Sequence, residues 1–374
     1  MQKITRLVAV RTASILALML VLLLVSCEQI LMDAPPSSKD NAAVFDSMWE
    51  TARTKYTFFE FKRIDWNAMR EKYRNRAIQA ADNEALFNVL AAMLNELQDD
   101  HTNLVSKFNL SRARPFFNDS LNYDSDILNR VYLKNQELYT GSLVNAIVER
   151  GGRKFGYIRY ASFLSPLDSA SWGFVINRFR RENVAGMILD IRNNGGGAIS
   201  NCNFLASHLA TERCTVLTEM TKNGPGAKDY NPPQSLILTT AQPSFNDKRV
   251  AVLTNRNSYS AASFFPAMLK APEFAHVRLI GDHTGGGSGL PIDFQLPNGW
   301  TYRFSGTKTF VPAGRITRAQ ALAAAPNANH DVDAEVGYNF EGGVPVDIRV
   351  TMNLADRTRD AILERAMDYI VNGR

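Results

Sequence analysis

The hydrophobic pattern changes character along the chain, and its first part has helical spacing. From Asn41 to about Leu97 apolar residues recur every three to four positions, and Asp82 or Asn83 is placed as a helix N-cap. The apolar stripes are Val44, Phe45, Met48, Trp49 and Ala52, then Trp66, Met69 and Tyr73, then Leu86, Phe87, Leu90, Met93, Leu94 and Leu97. This pattern predicts a small helical unit that ends in Asp99-Asp100-His101-Thr102.

After a polar stretch over 107–126, short apolar runs alternate with amphipathic segments. The runs predict strands over 143–149, 155–160, 186–191, 250–254 and 277–281, and helices over 167–181, 199–210 and 261–269. Mixed strands over 292–311 and a helix over 356–371 complete the pattern. Apolar strands interleaved with helices favour an α/β fold with a largely parallel sheet.

The first 27 residues have the pattern of an export signal. A basic start is followed by the uninterrupted apolar run Ile15 to Val25, which is too short to span a membrane but typical of a signal peptide. The ending Leu24-Val25-Ser26-Cys27 resembles the bacterial lipobox, which predicts a lipid on Cys27. An ordinary secretory signal with an incidental cysteine is the alternative. Residues 1–26 are thus the predicted leader and 27–43 a flexible tether.

Composition and charge exclude several classes of function. The formal net charge is +5, and removing the leader's Lys3, Arg6 and Arg11 leaves +2, too little to indicate a nucleic-acid partner. The five histidines and the remaining cysteines, Cys202 and Cys214, have no metal-site spacing, so neither a metal nor another cofactor is predicted.

Two strand ends carry candidate chemistry. The strand ending Asp190-Ile191-Arg192-Asn193-Asn194 runs into Gly195-Gly196-Gly197, whose N–H groups could bind developing negative charge or a phosphate. The strand ending Leu253-Thr254 leads to Ser260 at the start of a helix, where a nucleophile could be presented. Ser258 and Ser263 are rival nucleophiles, and a plain helix N-cap is the structural alternative for Ser260.

A serine nucleophile requires a base, and the histidines offer two candidates. His101 closes the helical unit, whereas His283 precedes a second glycine run, Gly285-Gly286-Gly287. Spacing alone does not choose between them. Of the other three histidines, His208 falls in a predicted helix, His276 falls just before a predicted strand, and His330 falls in a polar loop.

Taken together, these segments resemble the S41 serine peptidases of the C-terminal-processing and tricorn-core type, including their retinoid-binding-protein-like branch. The matching pieces, in the family's order, are Leu97-Gln98-Asp99-Asp100-His101-Thr102, 189–197, Tyr259-Ser260-Ala261-Ala262, 280–287 and Glu341-Gly342-Gly343-Val344-Pro345-Val346-Asp347. The resemblance implies a helical cap over 44–106 and a ClpP/crotonase-like α/β catalytic core over 107–374. The interval between Thr102 and Phe155 is too short for the PDZ domain that many members carry.

The resemblance also implies catalytic roles. The nucleophile falls on Ser260, and the oxyanion donors fall on Ala261 and on Gly196 or Gly197. One branch uses a lysine base in the glycine turn, but the turn 284–288 has none. The tricorn-like branch uses a histidine and a distant glutamate, which correspond to His101 and Glu341. Glu341 would fix the imidazole directly or through a bridging Ser or Thr, and a surface loop residue is its structural alternative.

The implied function is hydrolysis of peptide bonds in a peptide or unfolded protein through a Ser-His-Glu acyl-enzyme mechanism. A non-catalytic lipoprotein that binds a peptide or apolar ligand on the same scaffold is the alternative, and an acyl-CoA enzyme ranks last. The leader predicts an exported protein held to a bacterial membrane through Cys27. Glu28 after the cysteine favours the outer membrane.

Overall fold

The structure is a computed structural model that describes residues 40–113, 122–324 and 331–374. The predicted leader, Cys27 and most of the tether lie outside the described residues. Within the described ranges, no helix combines the length and the apolar character needed to cross a membrane.

Three helices form the N-terminal part, as the pattern predicts. They are α1 (Asn41–Lys55), α2 (Trp66–Ile78) and α3 (Asn83–Asn95). Each begins after an aspartate whose carboxylate accepts from a backbone N–H of the first turn, which fixes where each helix starts. For α3 this residue is Asp82 rather than Asn83.

The helices pack on strands that come from two distant parts of the chain. β1 (Asn103–Val105) and β2 (Leu110–Arg112) join β11 (Pro291–Gln295) and β12 (Thr301–Ser305) in a four-stranded antiparallel sheet of order β11-β12-β1-β2. One buried apolar cluster contains α1 to α3 together with Leu296, Trp300, Tyr302 and Phe304. The cap boundary predicted at residue 106 therefore excludes the hairpin of β11 and β12, although this hairpin packs in the same apolar cluster as the cap helices. The sequence pattern does not show this, because strands that pair can lie far apart in the chain.

The main sheet has seven strands in the order β16-β10-β9-β6-β5-β4-β3. Its strands are β3 (Leu138–Thr140), β4 (Leu143–Arg150), β5 (Arg153–Arg159), β6 (Met187–Asp190), β9 (Val250–Thr254), β10 (Val277–Gly281) and β16 (Ile348–Arg349). The strands from β5 to β16 pair in parallel, whereas β3 and β4 are antiparallel. The predicted α/β core with a largely parallel sheet is confirmed.

Helices cover both faces of this sheet. The connecting helices are α4 (Ser125–Ile127, continued as a π-helical turn over Leu128–Leu133), α5 (Ser169–Arg181), α6 (Ile199–Leu209), α7 (Ala261–Met268) and α9 (Ala361–Asn372). β9 is buried along its whole length, which explains why its residues form a continuous apolar run rather than an alternating pattern. α9 begins at Ala361, five residues after the predicted start, because the Asp360 carboxylate caps it there.

A third sheet was not predicted. It has five antiparallel strands in the order β14-β15-β13-β7-β8, with β7 (Cys214–Thr221), β8 (Gln234–Leu238), β13 (Thr307–Pro312), β14 (Asp331–Asp333) and β15 (Gly337–Asn339). α8 (Arg318–Ala324) connects β13 to the segment before β14. Cys202 within α6 and Cys214 in β7 are both buried and free.

Candidate active site

The site lies at the carboxyl ends of β6 and β9, which are neighbours in the sheet. Asp190 is paired with Leu253, so the loops that follow the two strands leave the same edge side by side. The Ser258 hydroxyl donates to the Ile191 carbonyl at 2.9 Å, and further bonds between the loops hold them together. Carboxyl ends of parallel strands are where α/β folds place ligand sites.

Ser260 stands in a strained backbone conformation at the turn into α7. Its φ of 56° and ψ of −124° are rarely adopted by a residue with a side chain, and such strain costs about 1–3 kcal/mol. The Ser260 N–H donates to the Gly286 carbonyl at 2.9 Å, which holds the turn. Gly286 has a φ of +88°, and a Cβ there would lie 1.9 Å from the Glu341 carbonyl oxygen. The second glycine run therefore shapes this turn.

The two rival serines are structural. Both are fully buried. Ser258 donates to Ile191, and Ser263 donates to the Ser258 carbonyl at 3.0 Å while accepting from the Gly286 N–H at 3.1 Å. Their hydroxyls are used within the loop, whereas that of Ser260 faces the cap.

His101 meets Ser260 across 159 residues of sequence. Its Nε2 lies 2.8 Å from the Ser260 Oγ, and its ring centroid is 5.1 Å from that of Tyr259. Burial lowers the pKa of His101, partly opposed by the negative charge of Asp99 and assisted by the positive charge of Lys62. A neutral imidazole beside a serine hydroxyl is the arrangement that general-base catalysis requires.

The predicted oxyanion donors differ in what they already bind. The Gly196 N–H donates to the Asn194 Oδ1 at 3.0 Å, so that amide is engaged within its own turn. Gly196 is needed there for space, since a Cβ would lie 2.8 Å from the Ser260 Cβ. The N–H of Ala261, the first residue of α7, donates to no partner in the described part of the chain. Ala261 and Gly197 remain as candidate donors.

Glu341 lies in the site region but does not touch the imidazole. Its carboxylate is almost wholly buried, with Oε1 3.0 Å from the Lys62 Nζ and Oε2 accepting from the Ser288 N–H at 2.9 Å. Neither a hydrogen bond nor an ion pair joins the described side chains of Glu341 and His101. The expectation for Glu341 was a direct contact or one bridged by Ser or Thr, and of these the direct contact is not made between the described side chains. Burial raises the pKa of Glu341 to about 7, against the lowering effect of the Lys62 ammonium.

Three participants were not singled out from the sequence. Ser305, at the end of β12, places its Oγ 3.3 Å from the His101 Nδ1. Asp99, quoted only as part of a motif, is fully buried, with its Oδ1 3.9 Å from the same nitrogen. Lys62 extends from the cap to Glu341 and also donates to the Gln98 carbonyl at 2.8 Å. Ser305 and Lys62 carry no local signal, because only the cap–hairpin packing brings them to His101.

The rival base, His283, points elsewhere. Its Nδ1 lies 2.9 Å from the Asp282 Oδ1, and its Nε2 is buried without a hydrogen-bond partner in the described ranges. Neither nitrogen contacts Ser260.

Comparisons with known proteins find similar families and folds. The model of peptidase family S41 matches residues 154–327, and that of the tricorn protease C1 domain matches residues 37–95. No curated protein matches the chain. A crystal structure of a candidate peptidase from Parabacteroides merdae is 29% identical with a TM-score of 0.75, covering 90% of this chain and 98% of that one.

Two more distant structures share the fold. Mature CPAF complexed with lactacystin is 12% identical with a TM-score of 0.61 and covers 90% of this chain and 99% of its own. A lipoprotein from Streptococcus agalactiae is 16% identical with a TM-score of 0.51 and covers 91% and 98%. The match to the S41 model falls on the α/β core and the match to the tricorn C1 model falls on the helical cap, in the order the motifs predict, so this chain is similar to the S41 peptidases in both parts.

Proposed function

We propose that the chain hydrolyses peptide bonds with Ser260 as nucleophile and His101 as general base. The observation that carries this proposal is the 2.8 Å contact between the His101 Nε2 and the Ser260 Oγ, made by residues from separate layers. A serine on a strained turn with a histidine at hydrogen-bonding distance matches the chemical roles of a serine peptidase.

The proposed reaction is acyl transfer. The Ser260 hydroxyl gives its proton to the His101 Nε2 as its oxygen bonds to the substrate carbonyl carbon. The resulting oxyanion accepts from the Ala261 and Gly197 N–H groups, each worth about 3 kcal/mol in such sites. The C–N bond then breaks as the protonated imidazole donates to the leaving amine. Water, activated by the same imidazole, hydrolyses the acyl-enzyme and restores Ser260.

The proposed substrates are peptides and unfolded proteins cut at internal bonds, including removal of carboxy-terminal segments. Glu341 would contribute through the buried charges around the base, since its carboxylate bonds Lys62 rather than the ring.

A fluorophosphonate probe followed by peptide mapping tests the nucleophile. The unaltered protein should be labelled on Ser260, and Ser260→Ala should lose labelling and lower kcat on an unfolded protein on the order of 10⁴- to 10⁶-fold. Ser258→Ala and Ser263→Ala are the matched controls. They should keep labelling although each loses about 1–3 kcal/mol of stability, because their hydroxyls are buried and bonded.

Two outcomes would contradict the proposal. Labelling that persists in Ser260→Ala would move the nucleophile elsewhere. An unaltered protein that neither labels nor cleaves would instead favour a non-catalytic lipoprotein that binds a peptide or an apolar ligand on this scaffold.

We also propose that the protein is exported and anchored to a bacterial membrane, the outer one in a Gram-negative cell, through a lipid on Cys27. Support comes from Leu24-Val25-Ser26-Cys27 at the end of the apolar leader. Cys27→Ala should transfer the protein from the membrane fraction to the soluble fraction of an exporting host. Unchanged partitioning of that variant would refute the anchor.

A further inference from the structure

Leu164 is the most exposed large apolar side chain in the described ranges, with 80% of its surface open to solvent. A single exposed leucine is ordinary and indicates nothing by itself. Leu164, however, lies in the loop that follows β5, and Arg159 at the end of β5 is paired in parallel with Asp190 at the end of β6. Its loop therefore leaves the sheet at the edge where the glycine turn 195–197 and Ser260 lie.

The backbone of this loop packs directly on Gly197. Phe163 forms a parallel bridge with Gly197, and the Phe163 carbonyl accepts from the Ala198 N–H at 3.0 Å. Gly197 has a φ of +144°, and a Cβ there would lie 2.1 Å from the Leu164 backbone nitrogen. Only glycine allows this approach, so the loop is held against the turn that carries a candidate oxyanion donor.

The same turn contacts the nucleophile. A Cβ on Gly196 would lie 2.8 Å from the Ser260 Cβ. Because Gly196 and Gly197 are consecutive, the two close approaches keep the Leu164 nitrogen within about 12 Å of the Ser260 Cβ. An extended chain advances about 3.3 Å per residue, so a substrate bonded to the Ser260 Oγ spans this distance in about three or four residues.

Hydrogen bonds hold the loop on both sides of Leu164. The Asn201 Nδ2 donates to the carbonyls of Phe163 at 2.8 Å and of Ser165 at 3.1 Å. The Leu164 N–H donates to the Ser162 Oγ at 3.1 Å. The backbone is thus fixed while the leucine side chain faces water, and contact with an apolar ligand would remove both apolar surfaces from water.

We propose that Leu164 is a specificity-determining residue that contacts an apolar substrate side chain within about three residues of the cleaved bond. This inference rests on the proposed peptidase function of Ser260 and His101. It names a class of substrate, namely peptides with a large apolar residue close to the cleaved bond. Because the loop is already ordered, binding such a residue does not carry the entropic cost of fixing the loop.

A cleavage profile of a mixed peptide library, read by mass spectrometry, tests the contact. The unaltered protein should favour large apolar residues at one position near the cleaved bond. Leu164→Arg should lose this preference and favour Asp or Glu at the same position, because a guanidinium attracts a carboxylate. Leu164→Met should keep the apolar preference. A Leu164→Arg profile identical to that of the unaltered protein would overturn the proposal.

Two peptides that differ only at the selected position, with Leu in one and Asp in the other, give the size of the effect. Leu164→Arg should change their ratio of kcat/KM by about 10- to 100-fold in favour of the Asp peptide. Ile78→Arg is the matched control, because Ile78 is 40% exposed at the end of α2 and should leave the ratio unchanged. An equal loss on both peptides would mean general damage to the site and would refute a role in specificity.

Binding to inactive variants tests Leu164 without turnover. Fluorescein-labelled β-casein, an unfolded protein rich in apolar residues, serves as the probe, and its fluorescence anisotropy gives Kd. Adding Leu164→Ser to Ser260→Ala should weaken Kd by about threefold or more, since an apolar contact is lost. Adding Ile78→Ser to Ser260→Ala is the control and should leave Kd unchanged. Equal Kd values with and without Leu164→Ser would overturn the contact.

The two proposals can fail separately. An unaltered protein that neither labels nor cleaves removes the peptidase function, and the Kd of the inactive variants still reports on Leu164. An active protein whose cleavage profile does not change in Leu164→Arg removes only the role of Leu164.

Discussion

Two histidines of the protein, His101 and His283, lie next to an aspartate, and the one with the shorter His–Asp contact does not contact the nucleophile. The His283 Nδ1 is 2.9 Å from Asp282, whereas the His101 Nδ1 is 3.9 Å from Asp99. His101 has its other nitrogen 2.8 Å from the Ser260 hydroxyl, while that of His283 is buried with no partner within the described ranges. The candidate base is therefore identified by the partner of its Nε2, which is the Ser260 hydroxyl for His101.

The difference follows from where each histidine is attached. His283 follows β10 within the main sheet, next to the loops that build the turn of Ser260. His101 belongs to the cap and lies over that turn. His101 reaches the Ser260 hydroxyl from the cap, whereas His283 is buried in the core, where a Cβ on Gly343 would lie 3.1 Å from its ring.

Removing each imidazole should give the largest contrast. His101→Ala should lower kcat/KM by about 10⁴-fold or more, because no other described side chain is within reach to take the Ser260 proton. His283→Ala should retain most activity. Both rates are measured on the same unfolded substrate, with melting temperatures as the folding control. If the ranking is reversed, His283 is the base.

The pH dependence should identify the same histidine. Burial lowers the pKa of His101, so the acid limb of kcat/KM should have its midpoint below about 6.5, the ordinary histidine value. The neutral base is present above that midpoint, and activity falls as pH drops through it. The limb should be unchanged in His283→Ala. If the limb moves or disappears in His283→Ala, the titrating group is His283 and not His101.

The contributions of Glu341 and Asp282 to stability should change with pH in opposite directions. The folded pKa of Glu341, about 7, lies above its ordinary 4.5, so the folded state binds the extra proton between these values. The free energy of unfolding then falls as pH rises from 4.5 to 7, and Glu341→Gln should remove this decline.

Asp282 should behave in the other direction. Burial acts to raise the pKa of Asp282, but hydrogen bonds and charge from His283 lower it below 3.8. Its stabilisation is present above pH 3.8 and disappears as pH falls. Asp282→Asn should cost about 1 kcal/mol at pH 7 and nearly nothing in strong acid. Thermal melts of Glu341→Gln and Asp282→Asn across pH measure the two effects. If both variants show the same dependence of stability on pH, the charges assigned to Glu341 and Asp282 are contradicted.

Local patterns predicted the main sheet well. β9 and β10 have the predicted bounds, because β9 is a continuous apolar run up to Thr254 and β10 is apolar up to Gly281 except at Arg278. The antiparallel sheet containing β7 and β8 was missed, since polar or partly exposed positions interrupt the apolar pattern of both strands, although β7 has eight residues. The hairpin of β11 and β12 was predicted as strand, but its membership in the cap was not.

The sequence by itself determined the strand-to-helix turn at Ser260, the glycine runs beside it and the candidate roles of Ser260 and His101. These follow from local propensities and motif order. Only the tertiary structure showed that His101 rather than His283 lies beside the Ser260 hydroxyl, that the Gly196 N–H is engaged within its own turn, and that the Glu341 carboxylate pairs with Lys62. Hydrogen bonds form over about 3 Å between groups far apart in the chain, and no sequence spacing encodes which of several nearby carboxylates reaches a ring nitrogen.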